Sequence, residues 1–189
     1  MQFKNIALAT CMALSASVAA SGVSENATDI APSVQKRLVQ LDLGYKKTGL
    51  YLNALVDDAG NLTSSAVVQS YLSIVSDESD DVTNKTQPAA GTIPDTTQLI
   101  LCQSYHSMAL SGIELNAGFV NHANYFNKTE RAQVRRGLMA VNDETNKFFS
   151  DVGKKSLTYC EDALSLDNQA IHTSIRDAAR ALDPSKAAF

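Results

Sequence analysis

The chain has 189 residues, 44% of them hydrophobic, with 16 basic against 20 acidic side chains and a formal net charge of −4. This length suits one domain with a sizeable core. The mild acidity and the lack of a Lys/Arg stripe argue against nucleic acid as a partner and against electrostatic capture by an anionic membrane.

Residues 1–20 have the pattern of a removed secretory signal. Lys4 stands in a short polar start, an apolar run follows from Ile6 to Val18, and Val18-Ala19-Ala20 supplies small residues for cleavage. The run is too short to cross a bilayer and no second run of membrane length follows, so no membrane span is expected. Residues 21–189 are then a single helical domain that is secreted, extracellular or held in a cell wall. Cys11 leaves with the signal, and Cys102 and Cys160 are expected to form one disulfide in an oxidising compartment. The start Met1-Gln2-Phe3-Lys4-Asn5-Ile6-Ala7-Leu8-Ala9 resembles leader peptides of secreted fungal cell-wall proteins.

From Val34, semi-apolar positions recur at Leu38, Leu41, Tyr45, Thr48, Leu52 and Leu55, the alternating four-three step of an amphipathic helix. Asp29 and Pro32 suit its entry and Gly60-Asn61 its end, while Gly44 and Gly49 weaken it. Lys36-Arg37 reads as a solvent-facing pair on this helix rather than as a processing site. A second helix is expected over Ser64–Val75. The polar stretch Ser76–Pro94, with acidic residues at 77, 78, 80 and 81 but no calcium-loop spacing, reads as a long connector.

A third helix, about Asp95 to Val120, carries two apolar stripes. One is Leu99, Cys102, His106, Ala109, Ile113, Ala117 and Val120; the other is Leu101, Tyr105, Met108, Gly112, Leu115 and Phe119. The stripes lie on nearly opposite sides, so this should be the central helix, enclosed by neighbours or keeping one side for an apolar ligand. The expected ligand groove is Leu101, Tyr105, Met108, Leu115 and Phe119, with Phe148 or Phe149 facing it. A fourth helix opens near Thr129 with Glu130 in its first turn and is closed by Gly153; a fifth runs from about Ser156 to Leu182. Short turns between the first and second, third and fourth, and fourth and fifth helices predict antiparallel neighbours. The expected fold is all-α, an up-and-down bundle of about five helices with one disulfide.

Asn-x-Ser/Thr acceptors stand at Asn26, Asn61, Asn84 and Asn127, all between apolar-periodic segments. Asn61 and Asn127 are expected at one end of the bundle and Asn84 at the other. His106, His122 and His172 have no metal-ligand spacing, and no nucleophile elbow or phosphate loop is present, so neither metal, cofactor nor enzyme activity is expected. Cys102-Gln-Ser-Tyr-His106 resembles the cysteine-histidine helix of secreted phospholipases, but Ser107 stands where an aspartate should follow. The C-terminal residues Ala181–Phe189 lack an anchor signal, which predicts release or non-covalent retention.

The segment Leu138-Met139-Ala140-Val141-Asn142-Asp143-Glu144-Thr145-Asn146-Lys147-Phe148-Phe149, followed by Ser174-Ile175-Arg176-Asp177-Ala178-Ala179, resembles the hydrophobic surface binding protein A family, which includes fungal cell-wall galactomannoproteins. The resemblance implies a non-enzymatic bundle that adsorbs to hydrophobic surfaces or holds lipid between its helices. The expected partner is an apolar small molecule or a hydrophobic surface. The alternative is an extracellular protein, bound by a secreted effector or inhibitor-like module.

Overall fold

The computed structural model describes residues 30–58, 61–76, 93–154 and 157–186. The signal segment, Asn26, Asn84 and the connector 77–92 lie outside them. Five α-helices follow in chain order: α1 (Ile30–Val56), α2 (Ser64–Ser76), α3 (Asp95–Asn121), α4 (Lys128–Phe148) and α5 (Glu161–Ala181), with no strand among the described residues. A disulfide joins Cys102 to Cys160, with Cα atoms 6.5 Å apart. The all-α bundle with one disulfide is what the apolar spacing and the cysteine count predict.

Helix directions alternate along the chain, but the packing order is not the chain order. Asp42 meets Ser111, and Tyr45 lies against Gly112, so α1 and α3 run parallel. Cys102 is bonded to Cys160, Tyr105 to Asn168 and Asn116 to Ser174, so α3 and α5 are parallel as well. These two pairs are the closest in the molecule. The α1/α2, α2/α4 and α4/α5 contacts close the ring, whereas α3 and α4 are not close neighbours despite the short turn between them. The turn explains this correction. Phe126 is buried, Arg131 Nε donates to the Phe126 carbonyl at 2.9 Å, and Ser64 Oγ donates to Glu130 Oε1 at 2.9 Å, which seats the start of α4 beside α2. The result is two layers, α1/α3/α5 over α2/α4, with α3 in the middle of the larger one.

Local chemistry sets the helix ends. Asn127 caps α4 by accepting the N–H groups of Thr129 and Glu130, and Glu130 returns a bond to the Asn127 N–H at 3.0 Å. This capping box places the start of α4 at Lys128, one residue before the expected Thr129. Helical winding continues from α4 through a π turn, Phe149–Gly153. At the other end of the expectation, α1 stops at Val56 and the chain turns at Asp58, whose φ of 52° does the work assigned to Gly60-Asn61. Helix α5 begins at Glu161 rather than near Ser156. A 3-10 turn, Thr158–Cys160, precedes it, held by the Tyr159 N–H bond to Gln98 Oε1 and by the disulfide.

Arg37 is not solvent-facing. Its guanidinium forms a two-pronged pair with Glu144 of α4 (2.9 and 3.0 Å) and reaches the Ile74 carbonyl of α2 at 3.3 Å, while Lys36 stays exposed. Three helices therefore meet at one side chain, and the Arg37–Leu38 bond that follows the dibasic pair lies buried within α1.

Candidate functional site

The stripe expected to form a ligand groove is closed. Leu101, Tyr105, Met108, Leu115 and Phe119 are all 3% exposed or less, and they belong to the main core. Phe119 packs edge-on against Tyr71 and Phe126, with ring centres 5.3 and 5.8 Å away. Phe148 does face this stripe, stacked on Tyr105 at 5.2 Å, whereas Phe149 lies under the Lys154 ammonium at 5.3 Å.

One cleft touches the expected groove. It lies between α1, α3 and α4, with Leu38, Leu41, Tyr105, Met108 and Phe148 as apolar wall and the Arg37/Glu144 pair at its polar side. Its volume is about 30 Å³, room for one or two water molecules, where ligand pockets run to roughly 300–1,000 Å³. Leu101, Leu115 and Phe119 do not line it. Among the described residues this cleft has no space for an acyl chain.

The open apolar surface is the other stripe of α3. At about 100° per residue, Leu99, His106, Leu110, Ile113, Ala117 and Val120 fall within one sector pointing away from the α2/α4 layer. Leu99, Leu110 and Val120 are 43%, 53% and 40% exposed, and Ala117 is exposed with them. Only Cys102 and Ala109 of that stripe are buried, where they turn toward α5. Across the seam, α5 contributes Ala163, Leu166 and Ala170, all exposed, Leu166 at 67%. Among the described residues the remaining exposed large apolar side chains include Val39, Leu43 and Leu50 on α1, while α4 has Met139 and α2 has none. The larger layer is thus the apolar side of the molecule. Among the described residues α3, flanked by α1 and α5 and backed by α2 and α4, has no neighbour on its outer side.

Polar groups at this face are satisfied locally. His106 Nδ1 lies 2.9 and 3.0 Å from the two oxygens of Asp167, at the middle of the α3/α5 seam. No nucleophile or third metal-binding group joins that pair, and no cluster of three such side chains exists among the described residues. Beneath the seam, Tyr105 donates to Asn168 Oδ1 at 2.9 Å; His172 lies between Asn168 Oδ1 (3.1 Å) and Asn142 Oδ1 (2.5 Å). Burial pushes the phenols of Tyr45, Tyr71 and Tyr105 up from their ordinary value. Burial, then the Arg176 charge, hold the His172 imidazole below its ordinary value against an opposing pull from Asp143. Burial thus keeps these phenols neutral; Tyr105 donates to Asn168, while the buried Tyr45 hydroxyl has no hydrogen-bond partner among the described residues.

No helix among the described residues is long and apolar enough to cross a membrane. No protein-family model, curated protein or solved structure matches the chain.

Sequence reasoning identified both stripes of α3 and chose the inner one. The signal that separates them is in the sequence: the outer stripe contains His106 and is bordered by Gln103 and Glu114, while the inner stripe holds the larger aromatic rings. Leu166 on α5 escaped notice because it lies off that helix's main apolar face.

Proposed function

We propose that the chain is a secreted, non-enzymatic helical bundle that adsorbs to hydrophobic surfaces through the outer face of α3 and α5. The observation that supports this is the run of exposed leucines and alanines across two parallel helices, where His106 of α3 is bonded to Asp167 of α5. Lipid held inside the bundle is disfavoured by the 30 Å³ cleft, so lipid contact, where it occurs, is with an assembled surface. The resemblance to the hydrophobic surface binding protein A family implies the same behaviour.

Magnitudes make the reading testable. Fully covering a leucine side chain is worth about 1.5–3 kcal/mol, and Leu99, Leu110 and Leu166 are each roughly half exposed, so each contributes about 1 kcal/mol, or about fivefold in affinity. Leu99→Gln, Leu110→Gln and Leu166→Gln combined should lower adsorption to polystyrene or alkyl-agarose at least tenfold, with unfolding free energy changed by less than about 1 kcal/mol because the sites are on the surface. Adsorption equal to that of the unaltered protein sinks the proposal.

The closed core also favours a second reading, a protein-binding module that uses the same face. Under that reading the triple variant adsorbs normally but no longer retains a specific protein from extracellular fluid.

A further inference from the structure

Two of the four glycan acceptors fall among the described residues, and both are exposed together with their threonines, Thr63 and Thr129. Asn127 also caps α4. Its Oδ1 accepts the N–H groups of Thr129 at 2.9 Å and Glu130 at 3.0 Å, whereas its Nδ2 makes no hydrogen bond to any described residue. Capping needs only the acceptor oxygen. A sugar attached at Nδ2 leaves that oxygen in place, so helix cap and glycan acceptor are compatible uses of one side chain. Asn61 makes no side-chain bond to a described residue either, and it stands three residues before Ser64, whose Oγ donates to Glu130 Oε1 at 2.9 Å. Glu130 therefore braces the two acceptor turns against each other at one end of the bundle. By contrast Asn116, Asn142 and Asn168 are engaged in bonds between helices and lack the acceptor motif.

We propose that Asn61 and Asn127 are both N-glycosylated, placing two glycans at the α1–α2 and α3–α4 end of the bundle. This rests on the secretion reading, because the co-reactant, an oligosaccharide carried on a polyprenyl pyrophosphate, is met at the secretory membrane. In the transfer the Nδ2–C1 bond forms as the C1–O bond to the pyrophosphate breaks. Nδ2 gives up one proton, the polyprenyl pyrophosphate leaves, and nothing is oxidised or reduced.

The test is the intact mass of the full chain, produced in a eukaryotic secreting cell and compared before and after enzymatic removal of N-glycans. Asn61→Gln should lose one glycan mass. Thr129→Ala and Asn127→Asp should each lose one as well, but keep the melting temperature, since the former retains the Asn127 cap and the latter supplies an equally good one. Asn127→Ala loses both glycan and cap, and its melting temperature should fall by several degrees. A secreted chain with the mass of bare polypeptide overturns the proposal, as does an unchanged mass in Thr129→Ala or in Asn61→Gln. A chain retained inside cells with its own leader, yet exported and glycosylated behind a leader of proven competence, overturns the secretion reading and leaves this one standing.

Discussion

His172 shows how a single side chain inside the bundle can tie stability to pH. Its ring sits between Asn142 of α4 and Asn168 of α5, and Asn168 in turn accepts from Tyr105 of α3. Burial and the Arg176 charge disfavour the imidazolium, so the folded protein binds a proton there less readily than the unfolded chain, whose histidine titrates at about 6.5. The stabilisation is present in full above that value and is lost as pH falls through the window between it and the lower folded value. The denaturation midpoint should therefore drop between pH 7.5 and 5, and His172→Gln should drop less over the same range. Equal slopes for the two proteins would show that His172 is not the group responsible.

At the scale of the helix, the two glycines of α1 are alike in sequence and opposite in structure. A Cβ on Gly44 would come within 2.6 Å of Ile74 Cγ1, so this glycine permits α2 to approach, whereas a Cβ on Gly49 would meet nothing within 4 Å. Gly49→Ala should raise the unfolding free energy by about 0.5–1 kcal/mol through helix propensity alone. Gly44→Ala should lower it, because Ile74 must be displaced from a packed site. A stabilised Gly44→Ala would mean that α1 and α2 can separate freely. The same helix shows what periodicity can and cannot convey. Val34, Leu38, Leu41, Tyr45 and Leu52 are buried as their spacing requires, since a repeat near 3.6 places them on one face whatever that face meets. Arg37, between two of these turns, is buried by a partner 107 residues away, and no local pattern announces such a pair. On α3 the two stripes are legible, but knowing which of them is enclosed requires the packing order of the helices. That order depends on the α3–α4 turn leading α4 to α2, a choice made by Phe126, Glu130 and Ser64 together.

Across the whole molecule, parallel packing of α1, α3 and α5 imposes a demand that an ordinary antiparallel bundle does not have. Helices that run the same way side by side cannot be joined by tight turns, so α4 serves as the return crossover between α3 and α5. The Cys102–Cys160 bond closes that crossover, with 58 residues of sequence separation between its ends. In the chain-entropy model a loop of this size contributes about 4 kcal/mol, a large share of the roughly 5–15 kcal/mol typical of a domain. The bond also fixes the α3/α5 seam on which the exposed leucines are aligned, at the end away from Asn61 and Asn127. Replacing both cysteines, Cys102→Ala with Cys160→Ala, should lower the unfolding free energy by about 2–4 kcal/mol. Because the first turns of α5 are held by this bond and by the Tyr159 link to Gln98, amide exchange should accelerate more in α5 than in α1 or α2. Adsorption to an apolar surface should then become weaker as α5 loosens, even at temperatures where the variant remains folded. A double variant with an unaltered denaturation midpoint and unaltered exchange in α5 would show that helix packing alone fixes the seam.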